Sequence, residues 1–312
     1  MNNSYHTDLQ RQLDSISDAL EKTNTLSKIL DEEWCKTIRN EIANFKAGGV
    51  FYSNSALMFF QLKHPFRGIP WFENAQSLAL RGEIEKLTSD EKMALAFCGF
   101  DPIKVFLPIC DERLTALSKL PFKTEVIGRK FHQLKECRYS SAFRNHLFEL
   151  LILGFFAKEN ALIDIDPADT MVDGVLNIDN RRILLEVTFT SQELLSDQPG
   201  VHTGDVNALI SQVIYKAKKK VADGRQLALA MKIPAILVLE LNRLGADDIT
   251  SRIGIEVCFD DPDFSKLSGV VVSDSWKLMT TRFYRGKNPE IPLSMVELTA
   301  FQSWFGKETR SG

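Results

Sequence analysis

The stretch "MVDGVLNIDNRRILLEVTFT", residues 171–190, constrains the fold more than any other part of the chain. It reads as two apolar strands folded about a turn, and each strand carries one carboxylate in its interior, Asp173 and Glu186. Asp179-Asn180 supplies the two central turn residues, of types that tolerate the positive φ a tight hairpin needs. Counting back from that turn, Ile178 faces Arg181 and Asp173 falls directly opposite Glu186. One face then carries Val172, Gly174, Leu176 and Ile178 beside Ile183, Leu185, Val187 and Phe189, and it is wholly apolar. The other carries Asp173, Glu186 and Thr188, with Met171, Val175 and Leu184 around them.

Opposed side chains in a sheet have Cβ atoms about 4.5–5.5 Å apart. Two ionised carboxylates that close repel by roughly 4 kcal/mol at an effective dielectric of about 20. Two arrangements relieve the repulsion. Either both acids are solvated on an exposed face, or they share a divalent cation, since Mg2+ favours one or two carboxylates completed by water and phosphate oxygens.

The rest of the composition narrows the setting. A chain of 312 residues has room for one large domain or two ordinary ones. A hydrophobic fraction of 44% with 25% charged residues excludes a disordered polymer. The net charge of −3 excludes a chain-wide attraction to nucleic acid, so such binding must come from a local patch. The longest apolar runs, such as "LLILGFFA" at 150–157, fall short of the roughly 20 residues a membrane helix needs. The N-terminus lacks the basic-then-apolar order of a signal peptide. A cytoplasmic protein without a membrane partner is expected. Its five dispersed cysteines, with no CxxC, suit reduced thiols better than a disulfide framework or zinc site.

Residues 8–46 have helical periodicity, with Leu9, Leu13, Ile16 and Leu20 on one stripe and a lapse at Thr23, Asn24 and Thr25. Residues 50–135 mix aromatic-rich helical stretches with turn signals at "HPFRGIP" (64–70) and "GFDP" (99–102). Beyond about residue 135 the pattern changes. A largely apolar helix is expected over 141–160, a short strand over 161–166, the hairpin, an amphipathic helix over 205–222 and a buried strand over 234–241. Further strands are expected at 253–259 and 269–274. The division is therefore a helical N-terminal domain, 1–135, and an α/β domain, 136–312, in which helices flank a mixed sheet. The N-terminal helices offer a surface for a protein partner or a second copy in a homodimer.

A strand acid followed some dozen residues later by Glu-x-Lys on the next strand marks the PD-(D/E)XK nuclease superfamily. The region 141–241 resembles its restriction-endonuclease-like core in element order. Glu149 matches the acid such nucleases often carry in the first helix, and Asp173 and Glu186 match the two strand acids. Gln212 resembles the glutamine of the following helix in Holliday-junction-resolvase-like members. The resemblance implies a Mg2+ (or Mn2+) ion held by Asp173, Glu186 and the carbonyl of Val187. It implies metal-dependent hydrolysis of nucleic acid, with DNA favoured over RNA.

One departure bears on the chemistry. Thr188 stands where the family has lysine. Some members supply that cation from the following helix, which here offers Lys216, Lys218, Lys219 and Lys220. Gln212, Lys216 and Lys220 share one helical face. The same lysines, with Arg181, Arg182 and Arg225, form a candidate phosphate-contacting patch. The rival expectation is a catalytically inactive nuclease-fold module that binds nucleic acid or protein.

Overall fold

The hairpin forms on the expected register. In the computed structural model Gly174 faces Leu185, Val175 faces Leu184, Leu176 faces Ile183, Asn177 faces Arg182 and Ile178 faces Arg181. Asp179 and Asn180 both adopt positive φ, 53° and 61°, the geometry of a turn that matches strand twist. The structure describes residues 18, 22–33, 36, 74–75, 78, 83–88, 101–137, 142–167, 172–189, 233–240, 255, 259–260, 267–273 and 281–305.

The hairpin lies within a mixed six-stranded sheet, which makes the protein an α/β structure. Its strands are β1 (Leu162–Ile165), β2 (Gly174–Ile178), β3 (Arg181–Phe189), β4 (Ala235–Glu240), β5 (Gly269–Ser273) and β6 (Thr281–Arg285), adjacent in chain order. The pairs β1–β2, β2–β3 and β5–β6 are antiparallel; β3–β4 and β4–β5 are parallel. Every residue of β5, and of β4 from Ile236 onward, is buried, so both faces of the central strands are covered.

The described residues also include five α-helices, which we label α1 (Asn24–Leu30), α2 (Asp101–Ser118), α3 (Thr124–Glu136), α4 (Ala142–Lys158) and α5 (Met295–Phe305). The face of the sheet that carries Gly174 and Leu185 receives α4, for a Cβ at Gly174 would meet Leu153 Cδ2 at 3.0 Å. Phe155 and Phe156 of α4 meet Phe305 of α5 at ring-centroid distances of 5.1 and 6.0 Å. Phe301 of α5 stacks on Phe283 of β6 at 5.1 Å. This aromatic layer ties the C-terminal helix to the sheet and to α4.

Sequence pattern and structure part at three places. Residues 253–259 do not continue as a strand at their two described positions: Ile255 and Phe259 are helical, and a spacing of four places both on one face. Asp101-Pro102, the end of a turn signal, opens α2, where proline is tolerated because first-turn amides lack helical partners. The edge strand β6 and helix α5 have no counterpart in the pattern analysis. The helix of 205–222 and most of 8–46 lie outside the described residues.

Contacts divide the chain into two compact units, Met1–Thr115 with Arg129–His146, and Ala116–Gly128 with Leu147–Gly312. In the first, α1 buries Leu26 and Leu30, but its N-cap residue Thr23 makes no side-chain capping bond. Asp111 of α2 serves instead, its Oδ1 accepting from the amides of Thr25 (2.7 Å) and Leu26 (2.8 Å). Asp111→Ala should cost about 1–2 kcal/mol, the scale of a lost cap, and Asp111→Asn less, because it keeps an acceptor. Urea unfolding of both variants checks this; equal losses would assign the effect to charge alone.

Candidate metal centre

The site begins with a fault in the β1–β2 ladder. Leu162 pairs with Leu176, but Asp164 pairs with Val175 and Ile165 with Gly174, so a β-bulge lies between Leu162 and Asp164. Without the extra residue Ile165 would lie across from Asp173. With it, Asp166 does, and the Asp166 amide donates to the Asp173 carbonyl at 3.2 Å. Bulges commonly re-aim side chains in this way. Asp166 has φ 45°, a left-handed conformation that aspartate tolerates better than most residues.

Glu149 arrives from α4. It lies one turn before Leu153, the side chain that rests on Gly174, so the close helix–sheet approach at a glycine also fixes the height of Glu149. One carboxylate oxygen each from Glu149, Asp166 and Asp173 lie within 4.8 Å of one another, and all three residues are half-buried. Asp173 Oδ2 accepts the Val187 amide at 2.7 Å, which anchors the carboxylate against β3 where the β2–β3 ladder ends.

Each pair of ionised carboxylates near 4 Å repels by roughly 4 kcal/mol at an effective dielectric of about 20. The donor set fits a hard divalent cation: all oxygen, no imidazole, no thiolate. Oxygens bound to one Mg2+ at about 2.1 Å lie at most about 4.2 Å apart, so a small contraction of the trio suffices.

The sequence-derived residues fall into distinct places. Glu149 and Asp173 come together, and Asp166, which pattern reading missed, joins them. Glu186 is outside that trio. The regular ladder stops at Gly174–Leu185, one pair short of Asp173–Glu186, and residues 172–173 form a bend. Val172 consequently leaves the face assigned by simple alternation and packs with Val175, Leu184 and Ile233. Glu186 and Thr188 share the Leu184 face of β3 and are buried, at 7% and 8% exposure. Solvation therefore does not account for Glu186. Thr188 Oγ1 is buried without a hydrogen-bond partner. In a strand the N–H and C=O of one residue point the same way, so the Val187 carbonyl is directed to the β2 side, where its amide meets Asp173. Gln212, Lys216, Lys218, Lys219, Lys220 and Arg225 lie outside the described residues.

Arg181, expected in the phosphate patch, pairs within the protein. Its Nη1 pairs with Glu297 Oε2 at 3.1 Å and its Nη2 donates to the Pro292 carbonyl at 3.2 Å. It also begins β3, about 20 Å along the strand from Val187. Asp164, the acid within β1, is held separately: its Oδ1 pairs with Lys123 Nζ at 3.3 Å and accepts the Ile165 amide at 2.8 Å. Burial pushes the Cys137 thiol up to about 11, which disfavours its thiolate form.

No family model, no curated protein and no solved structure matches the chain. Among the described residues, no helix is long and apolar enough to cross a membrane.

Proposed function

We propose that the chain is a metal-dependent nuclease with a restriction-endonuclease-like core, acting on phosphodiester bonds of DNA in preference to RNA. The observation that carries this reading is the convergence of Glu149 and Asp173, from separate elements, into a carboxylate trio at the end of the β2–β3 hairpin. Asp173, Glu149 and Asp166 would hold Mg2+ or Mn2+, with the Val187 carbonyl available on the same side. Bound there, the ion supplies Lewis acidity towards a water and offsets charge building on the phosphate. Asp173, anchored on β3 by the Val187 amide, would hold the ion there, while Gly174 lets α4 approach closely enough to deliver Glu149. Gln212 and a lysine from 216–220 would enter from the following helix, replacing the cation that Thr188 does not provide.

The second reading, an inactive nuclease-fold module, draws on Thr188 itself and on the net charge of −3. Cleavage assays on single- and double-stranded DNA and RNA with Mg2+ and Mn2+ separate the two. For the enzyme, wild type cleaves DNA, and Lys216→Ala or Lys220→Ala lowers the rate about 10²-fold, the scale of a lost catalytic group. Thr188→Lys is then neutral or harmful, because a second ammonium crowds the first. For the inactive module, wild type cleaves nothing with either metal.

A further inference from the structure

Helix α4 carries Glu149 to the carboxylate trio, and the rest of the same helix decides where that carboxylate stands. Glu149, Leu153 and Phe156 follow one another at spacings of four and three, so they share one stripe of α4. Leu153 rests on Gly174 and sets the height of the helix above the sheet. Height alone leaves a helix free to roll about its axis. A side-chain tip about 5–6 Å from the axis moves about 1 Å for a roll of about 10°. Metal–ligand distances tolerate only about 0.2 Å. A centre that draws one ligand from a helix therefore needs that helix fixed in rotation as well as in height.

Phe156, two turns beyond Glu149 and fully buried, meets three rings of α5 edge to face. The ring centroids lie 6.3 Å away at Phe301, 5.6 Å at Trp304 and 6.0 Å at Phe305. Such pairs prefer defined ring angles and contribute about 0.5–1.5 kcal/mol each beyond the area they bury. Helix α5 is itself fixed to the sheet at two points, by Glu297 on Arg181 of β3 at 3.1 Å and by Phe301 stacked on Phe283 of β6 at 5.1 Å. The roll of α4 is thus referred to the same sheet that carries Asp173. We propose that α5 is a positioning element of the metal centre: its aromatic grip on Phe156 fixes the rotation of α4 and so brings Glu149 to the ion. The rings of Phe301, Trp304 and Phe305 offer no ligand atom to a hard cation and act through Glu149. The inference rests on the metal centre proposed above and not on the hydrolytic step.

Titration calorimetry with Mn2+ on the full chain, well below its unfolding midpoint, tests this as a double-mutant cycle. Glu149→Gln should weaken binding about tenfold or more, and Trp304→Leu, at a half-buried ring, about three- to tenfold. In the Glu149→Gln background Trp304→Leu should add less than about twofold, because the ligand through which it acts is already lost. Trp304→Phe, which keeps a ring edge, should recover most of the affinity. Should Trp304→Leu fold poorly by circular dichroism, Phe155→Leu opens the same layer from α4, where Phe155 meets Trp304 at 6.2 Å, and carries the same cycle. Equal losses in both backgrounds would mean that the substitution disturbs the whole centre, and the proposal fails. An unweakened Trp304→Leu or Glu149→Gln would also overturn it, while a weakened Asp173→Asn keeps the metal centre standing. Wild type that binds no Mn2+, or Asp173→Asn that binds as wild type does, would overturn the metal centre itself and the positioning role with it.

Discussion

Arg181→Met should lower the unfolding midpoint by about 4–8 °C, equivalent to about 2 kcal/mol for a unit of this size. Glu297 is fully buried, at 0% exposure, and Arg181 is its ion-pair partner at 3.1 Å. The same oxygen of Glu297 accepts the Ser294 amide at 2.6 Å, and the Glu297 amide returns a bond to Ser294 Oγ at 3.2 Å. This is a capping box, and it starts α5. Glu297 Oε1 has no hydrogen-bond partner, so the loss of Arg181 leaves a buried carboxylate with the Ser294 amide as its remaining bond to Oε2. Breaking a fully buried pair costs about 3–5 kcal/mol. Arg181 is 39% exposed, which screens the interaction and reduces the expectation to about 2 kcal/mol. Adding Glu297→Gln to Arg181→Met should restore part of the loss, since a neutral amide needs no counter-charge. Calorimetric scans of the single and double variants measure both effects. A single variant that melts with wild type would show that the pair contributes nothing to stability.

The same pair shows what could be read from the sequence and what could not. The strands β1 to β5 are visible as apolar runs bounded by turn residues, although the same signal at 253–259 falls on residues that are helical at Ile255 and Phe259, and Asp179-Asn180 fixes the hairpin register. The capping box of α5 was also written in the chain, as Ser294 followed three residues later by Glu297, but short signals of that kind are easily passed over. Edge strand β6, "TRFYR", carries charge at both flanks of two aromatic residues and so imitates a loop. The partner of Arg181 lies 116 positions away and has no local signal.

The candidate site was half legible. Asp173 and Glu186 could be named because acids inside apolar strands are costly unless something holds them, and Glu149 because it matches the first-helix acid of the superfamily that the region resembles. Asp166 could not. In "ALIDID" it reads as the polar end of a strand, and only the bulge, a property of the pairing with β2, turns it towards Asp173. The separation of Glu186 from the trio has a similar origin, for the bend at 172–173 ends the ladder before Asp173 can lie across from it. Register errors of one residue decide which acids meet, and sequence pattern does not resolve them at a strand end.

Asp173→Asn should abolish the stabilisation that Mg2+ or Mn2+ confers while leaving the metal-free protein equally stable or more so. At a free ion concentration 100 times Kd, wild type should gain about 2.7 kcal/mol, because the folded trio binds the ion and the unfolded chain does not. The sign of the metal-free effect follows from the trio itself. Three carboxylates are forced within 4.8 Å only in the folded state, so neutralising one relieves repulsion there and not in the unfolded chain. Asparagine also keeps a carbonyl oxygen for the Val187 amide, so the end of the hairpin need not be lost with the charge. Asp166→Asn should likewise reduce the metal increment, although its side chain replaces nothing that the β2–β3 pairing requires. Thermal scans with and without each metal read all of these differences. An increment that persists undiminished in Asp173→Asn would place the ion elsewhere on the protein. An increment lost in Asp173→Asn but intact in Asp166→Asn would reduce the centre to the Glu149–Asp173 pair, with the bulge of β1 serving the strand and not the metal.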